Sequence, residues 1–124
     1  MAQSAGLHEP ADALDGATID RHRALTSIQE ELEAVDWYDQ RVAATQDASL
    51  AAVLAHNRDE EKEHASMTLE WLRRHDPVLD KHLRTYLFST EAVTEVEAEA
   101  EAGRGSTGGG SDGSLGIGSL KGVG

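Results

Sequence analysis

The 124-residue chain contains no cysteine, and that absence removes a wide range of chemistry. Disulfides, thiolate nucleophiles, iron–sulfur clusters and Cys-ligated zinc are excluded, so any metal must be held by oxygen and imidazole nitrogen. Basic residues are scarce as well: 11 Lys and Arg stand against 23 Asp and Glu, for a formal charge of -12. Such an excess argues against nucleic acid and anionic membranes as partners and favours attraction of cations. No apolar run approaches the roughly 18 residues of a membrane span, and Met1 to Pro10 lacks the basic start and apolar stretch of a leader. A soluble, cytoplasmic protein is expected. Proline occurs only as Pro10 and Pro77, which leaves a long interval open to uninterrupted helix.

Residues 1–16, with Pro10 and Gly16, read as a flexible N-terminal arm. From Thr18 to about Ala44, Ile28, Val35 and Val42 recur every seven residues among good helix formers, which predicts a long helix. Thr45, Gln46 and Asp47 make a short polar break. Asp47 is placed to cap a second helix that runs to about Arg74, where Arg73, Arg74 and His75 are cations suited to a helix C-terminus. Asp76 caps again, with Pro77 at the first position of a short third helix carrying Leu79, Leu83 and Leu87. Thr90 to Ala102 is acidic and reads as a weakly anchored helix. Residues 17–102 are therefore expected to form an all-α domain, an antiparallel two-helix hairpin plus a short third helix. Residues 103–113 are nearly all Gly, Ser and Thr, the composition of a linker. In residues 114–124 large apolar side chains return as Leu115, Ile117 and Leu120, too few for a core but suited to anchoring in another protein's pocket.

Two anomalies interrupt the apolar seams. The second-helix seam reads Leu54, Asn57, Glu61, His64, Thr68, Trp71, with a carboxylate and an imidazole at its centre, three residues apart on one face. The first-helix seam reads Ile28, Glu31, Val35, Tyr38, Val42, again with a carboxylate where an apolar residue is expected. In an antiparallel hairpin with a three-residue break, residues at one height have numbers summing to about 92, as Ala44 and Ala48 do at the turn; Glu31 and Glu61 satisfy this. A lone seam Glu or His is ordinarily a core-boundary residue or the partner of an Arg, but three at one height point to metal. Di-metal carboxylate bundles use one Glu from each of two helices and a Glu-x-x-His from each of the other two. This chain holds half of that set, so a second copy related by a two-fold axis must complete both the four-helix bundle and the site. Carboxylates with few imidazoles suit ferrous iron and manganese, and zinc fits the same ligands; iron with dioxygen is the favoured chemistry. Tyr38 is either a neighbour able to hydrogen-bond a ligand or act in redox, or a core tyrosine with a satisfied hydroxyl. Glu30, Glu33 and Trp37 read from spacing alone as an ordinary solvated face. His56 pairs with Glu60 by spacing, and His8, His22, His75 and His82 remain unassigned.

The runs ELEAVDWYDQR at Glu31 to Arg41, HNRDEEKEHASMTLEWLRR at His56 to Arg74 and RTYLF at Arg84 to Phe88 closely resemble encapsulated ferritins, the ferritin-like cargo proteins of bacterial encapsulin shells. SLGIGSL at Ser114 to Leu120 resembles the peptide by which that cargo docks on the shell's inner wall. The resemblance implies dimers assembled into a ring-shaped decamer, with a di-iron ferroxidase centre formed between subunits. It implies Glu31, Glu61 and His64 as iron ligands, Tyr38 beside them, and Glu30, Glu33 and Trp37 along the path by which metal enters. It also implies an encapsulin nanocompartment as the location, with Leu115, Ile117 and Leu120 bound to the shell. Two other readings share the ligands: a non-catalytic assembly protein stabilised by a structural metal, and a manganese or peroxide-handling di-metal protein.

Overall fold

The computed structural model describes residues 6–107, and every regular element within them is helical. A single 3-10 turn, Ala11–Ala13, precedes four α-helices: α1 (Gly16–Ala44), α2 (Ala48–Arg74), α3 (Pro77–Tyr86) and α4 (Val93–Thr107). Residues 114–124 and most of the 103–113 linker, with the anchoring side chains Leu115, Ile117 and Leu120, lie outside the described residues. Where one domain is expected over 17–102, the chain divides between His75 and Asp76 into two compact units.

The first unit is the α1–α2 hairpin. Helix α1 starts two residues before Thr18, because the Asp15 carboxylate accepts a hydrogen bond from the Thr18 N–H at 2.8 Å and satisfies one free donor of the first turn. The break at Thr45 to Asp47 stands where its polarity places it. Asp47 accepts from the Leu50 N–H at 3.0 Å and the Ser49 hydroxyl at 2.8 Å, and these donors hold its carboxyl below the usual carboxylate range. Helices α1 and α2 pack on one another, and a loop this short makes them antiparallel. Arg58 of α2 donates to Asp39 of α1 at 2.9 Å, a cross-helix tie near the turn.

The buried stripe of α2 differs from the expected seam. Ala65 and Leu72, seven residues apart, are buried, whereas His64 and Trp71, each one residue earlier, are exposed. The stripe therefore runs Leu54, Arg58, Glu61, Ala65, Thr68, Leu72, rotated so that the small Ala65 faces inward and His64 stands at its edge. A methyl group lets two backbones approach where an imidazole would hold them apart. Few apolar groups are covered in this unit, and Leu25, Leu32, Val53 and Met67 are all exposed. Burying one leucine contributes about 1.5–3 kcal/mol, which is small beside the entropy of ordering two helices of this length.

The end of α2 is held by charge. Glu70 receives both Arg73 Nε and a terminal nitrogen of Arg73 at 2.8 Å, and Arg74 Nε at 2.7 Å, so its carboxyl is held down at about 2. A carboxylate depressed in the folded chain contributes stability above its unfolded value of about 4.5 and loses it as pH falls toward 2. Urea titrations of the wild type and Glu70→Gln at pH 6 and pH 3 should show the gap between them narrowing at the lower pH. High salt should narrow it at pH 6 too, because the pair is exposed and screened.

The second unit holds α3 and α4, which pack against one another. Asp76 accepts from the Val78 and Leu79 N–H groups at 3.1 and 3.0 Å, and Pro77 occupies a position whose N–H is not needed. After α3, residues Tyr86 to Ser89 form a type II turn. Leu87 has φ -70° and ψ 141°, Phe88 has φ 65°, and the Ser89 N–H donates to the Tyr86 carbonyl at 3.3 Å. The third position of that turn ordinarily takes glycine, and a bulky residue there costs roughly 1–2 kcal/mol. Helix α4 begins three residues after Thr90 and continues to Thr107, beyond Ala102 and into the segment read as linker. Its backbone thus stays helical through Gly103, against the low intrinsic preference of glycine.

Candidate metal centre

Glu61 and His64 are presented by the same face of α2, as a Glu-x-x-His on a helix must be. Glu61 Oε1 lies 3.6 Å from His64 Nδ1, with the glutamate side chain 28% exposed and the histidine 47%. At that distance the two do not form a proper hydrogen bond. A carboxylate and a neutral imidazole both keep lone pairs for a third atom. Glu31, on α1, is half-buried, and its Oε1 is buried without a hydrogen-bond partner. An orphaned buried carboxylate oxygen costs about 1–3 kcal/mol, and such groups are rare in folded chains unless an ion or water completes them. Within one chain, Glu31 is not gathered with Glu61 and His64 into a three-residue set: among the described residues no group of three or more His, Cys, Asp or Glu is placed to hold a metal ion.

Two contacts were not evident in the sequence, that of Glu60 with His64 and that of Arg41 with Tyr38. Glu60 lies between two imidazoles, its Oε1 3.9 Å from His64 Nε2 and its Oε2 3.7 Å from His56 Nε2. The His56 pair was legible from spacing of four; the His64 contact has the same spacing in the opposite sense. Arg41 sets its guanidinium 5.5 Å from the centroid of the half-buried Tyr38 ring, a cation–π contact between residues three apart on α1. Trp37 and Glu30 are exposed, and Glu33 is half-buried on the same helix.

The donor chemistry fits a divalent first-row ion. Carboxylate oxygens and one imidazole are hard to borderline ligands of the kind iron and manganese accept, and the unpartnered Glu31 Oε1 is an acceptor with no donor of its own. Two carboxylates and an imidazole from one chain leave a di-metal site half supplied.

A family model described as EncFtn-like matches residues 6–90. An encapsulated ferritin-like protein of Rhodospirillum rubrum is 60% identical, over 98% of this chain and 93% of its own length. A ferritin-like protein of Thermotoga maritima is 54% identical, covering 82% of this chain and 90% of that one. The crystal structure of protein ne0167 from Nitrosomonas europaea superposes with a TM-score of 0.70 at 58% identity, over 71% of this chain and 97% of the other. A shorter match, 32% identical over 55% of this chain and 52% of its partner, is an encapsulin nanocompartment cargo protein of Myxococcus xanthus.

Proposed function

Because the chain belongs to the EncFtn-like family, we propose that it is a ferroxidase that oxidises ferrous iron with dioxygen at a di-iron site completed between two copies. The observation that carries this reading is the buried, unpartnered Oε1 of Glu31, a carboxylate oxygen whose burial is unfavourable until a cation reaches it. Two copies supply four glutamates, Glu31 and Glu61 from each, and two histidines, His64 from each, around two ferrous ions. The substrate ions give one electron each to a dioxygen molecule, and hard carboxylate donors favour the ferric product. Tyr38, two turns beyond Glu31 on α1, is the neighbour assigned to hydrogen-bond a ligand or act in redox, and the Arg41 guanidinium lies 5.5 Å from its ring centroid. Glu30, Glu33 and Trp37 form the way in, where carboxylates on an acidic chain concentrate cations. The weakly covered hairpin supports the same assembly: pairing of two hairpins into a four-helix bundle buries apolar side chains that one copy leaves exposed, and the dimers then build a ring, a decamer.

An open ring has no cavity for mineral, so storage falls to an encapsulin shell. The residue 103–124 tail is the means of delivery, with Leu115, Ile117 and Leu120 buried in shell pockets and several tails per ring adding avidity. The protein is thereby placed inside an encapsulin nanocompartment in the cytoplasm. No described helix is long and apolar enough to cross a membrane.

Adding ferrous iron and air to the purified chain should raise ferric absorbance and consume oxygen faster than buffer alone. Metal uptake that shifts oligomer size without oxygen consumption would sink the enzymatic reading. Truncation after Gly113 should leave oxidation intact and abolish capture by a co-expressed encapsulin shell, read as co-purification; a truncated chain still found inside shells would overturn the role of the tail.

A further inference from the structure

His64 leans back along α2, as helical side chains do, and so meets the residues three and four positions before it. Both are glutamates. Glu61 Oε1 lies 3.6 Å from the Nδ1 of the ring and Glu60 Oε1 lies 3.9 Å from its Nε2, so each imidazole nitrogen faces a carboxylate of its own. The two carboxylates differ in setting. Glu61 belongs to the stripe turned toward α1, the helix on which Glu31 keeps its unpaired oxygen, and its side chain is 28% exposed, against 48% for Glu60. An ion held by the inward glutamates therefore belongs on the Nδ1 side of the ring.

A neutral imidazole has one lone pair and one N–H, so binding through Nδ1 leaves the proton on Nε2, the nitrogen that faces Glu60. Metal-bound histidines ordinarily donate this second N–H to a carboxylate or a carbonyl, which fixes the tautomer and the plane of the ring. Glu60 is also approached from its far side. Its Oε2 lies 3.7 Å from His56 Nε2, which leaves Oε1 turned toward His64. At 3.9 Å the Glu60–His64 contact is longer than a hydrogen bond, and rotation about the soft terminal torsion of a half-exposed glutamate closes it.

We propose that Glu60 is a positioning residue for His64: its Oε1 accepts the Nε2–H of that ring and so keeps the Nδ1 lone pair aimed at the ion shared with Glu61. Glu60 itself does not touch the ion. The inference rests on the metal-site reading above and not on what the ion then does with dioxygen.

The test measures cobalt(II) affinity of the full-length chain under argon, by competition with a chromogenic chelator, together with the visible absorption of the bound cobalt. Each variant is compared at a concentration that gives it the wild-type native mass. Glu60→Ala should bind cobalt about ten- to a hundredfold more weakly, the range for losing the partner behind a metal-bound histidine. Glu60→Gln keeps an oxygen acceptor, so it should stay within about threefold of wild type with an unchanged cobalt spectrum. Glu63→Ala removes the same charge from the exposed position beside His64 and should also stay within about threefold. Wild-type affinity in Glu60→Ala overturns the proposal. So does a Glu60→Gln chain as weak as Glu60→Ala: with a changed spectrum Glu60 would be a ligand beside His64 Nε2, and with an unchanged one, matched by Glu63→Ala, it would be a collector of cations. A wild type that binds no cobalt removes the metal site and this proposal with it. Failure of the ferroxidase reading alone shows differently, as normal cobalt binding in a wild type that consumes no oxygen when given iron and air.

Discussion

Glu31→Ala is expected to remove iron oxidation and, in the same variant, to stabilise the metal-free chain. The loss should be on the order of a hundredfold or more, the scale at which a group contacting the reacting atoms is missed. The gain follows from the buried Oε1 that has no partner: deleting it returns part of the roughly 1–3 kcal/mol that such a group costs. Because Glu31 is only half-buried, and because its methylenes lose some packing, about 1 kcal/mol is the expected net effect. Alanine adds a few tenths through its helix preference. Opposite signs in the two readouts separate a metal ligand from a structural glutamate, which would lose stability when truncated. Glu30→Ala, at an exposed neighbouring position, serves as the control and should change metal-free stability by less than about 0.5 kcal/mol. Chemical denaturation under chelation and oxygen uptake under iron measure the two effects; a Glu31→Ala chain that oxidises at the wild-type rate removes Glu31 from the site.

The second large effect comes from sharing. If every centre needs ligands from two copies, mixing wild type with an equal amount of His64→Ala, then dissociating and reassembling, should leave about a quarter of the wild-type activity per centre, since only wild-type pairs remain complete. A site housed within one chain would leave half. The same logic predicts that dilution below the assembly threshold extinguishes oxidation while helicity persists. Activity that follows the fraction of wild-type chains in direct proportion would show that each chain works alone.

Much of the fold was legible because its signals are local. Asp15, Asp47 and Asp76 each accept backbone N–H groups at the start of a helix, and two of these three caps were readable from the polar residue before an apolar pattern. Pro77 and the cationic end of α2 stand where their backbone and dipole preferences put them. The Glu61–His64 pair follows from helix periodicity and needs no tertiary information. The rotation of the α2 stripe was not readable: Leu72 and Trp71 are both apolar, and which one turns inward depends on Ala65 letting α1 come close. The strain at Phe88 was equally hidden, since RTYLF looks like the unbroken end of a helix until the turn at Ser89 is seen.

Composition and periodicity settle the chemical limits of this chain: a cysteine-free, acidic sequence with long helices and with oxygen and imidazole donors at three seam positions. These are properties of short stretches, where a residue's neighbours within four positions dictate both its helix and its face. Tertiary structure alone decides that Glu31 keeps an oxygen buried and unpaired while His64 stands at the edge of the stripe. Burial is a sum over contacts from distant parts of the chain, and no local pattern carries that sum.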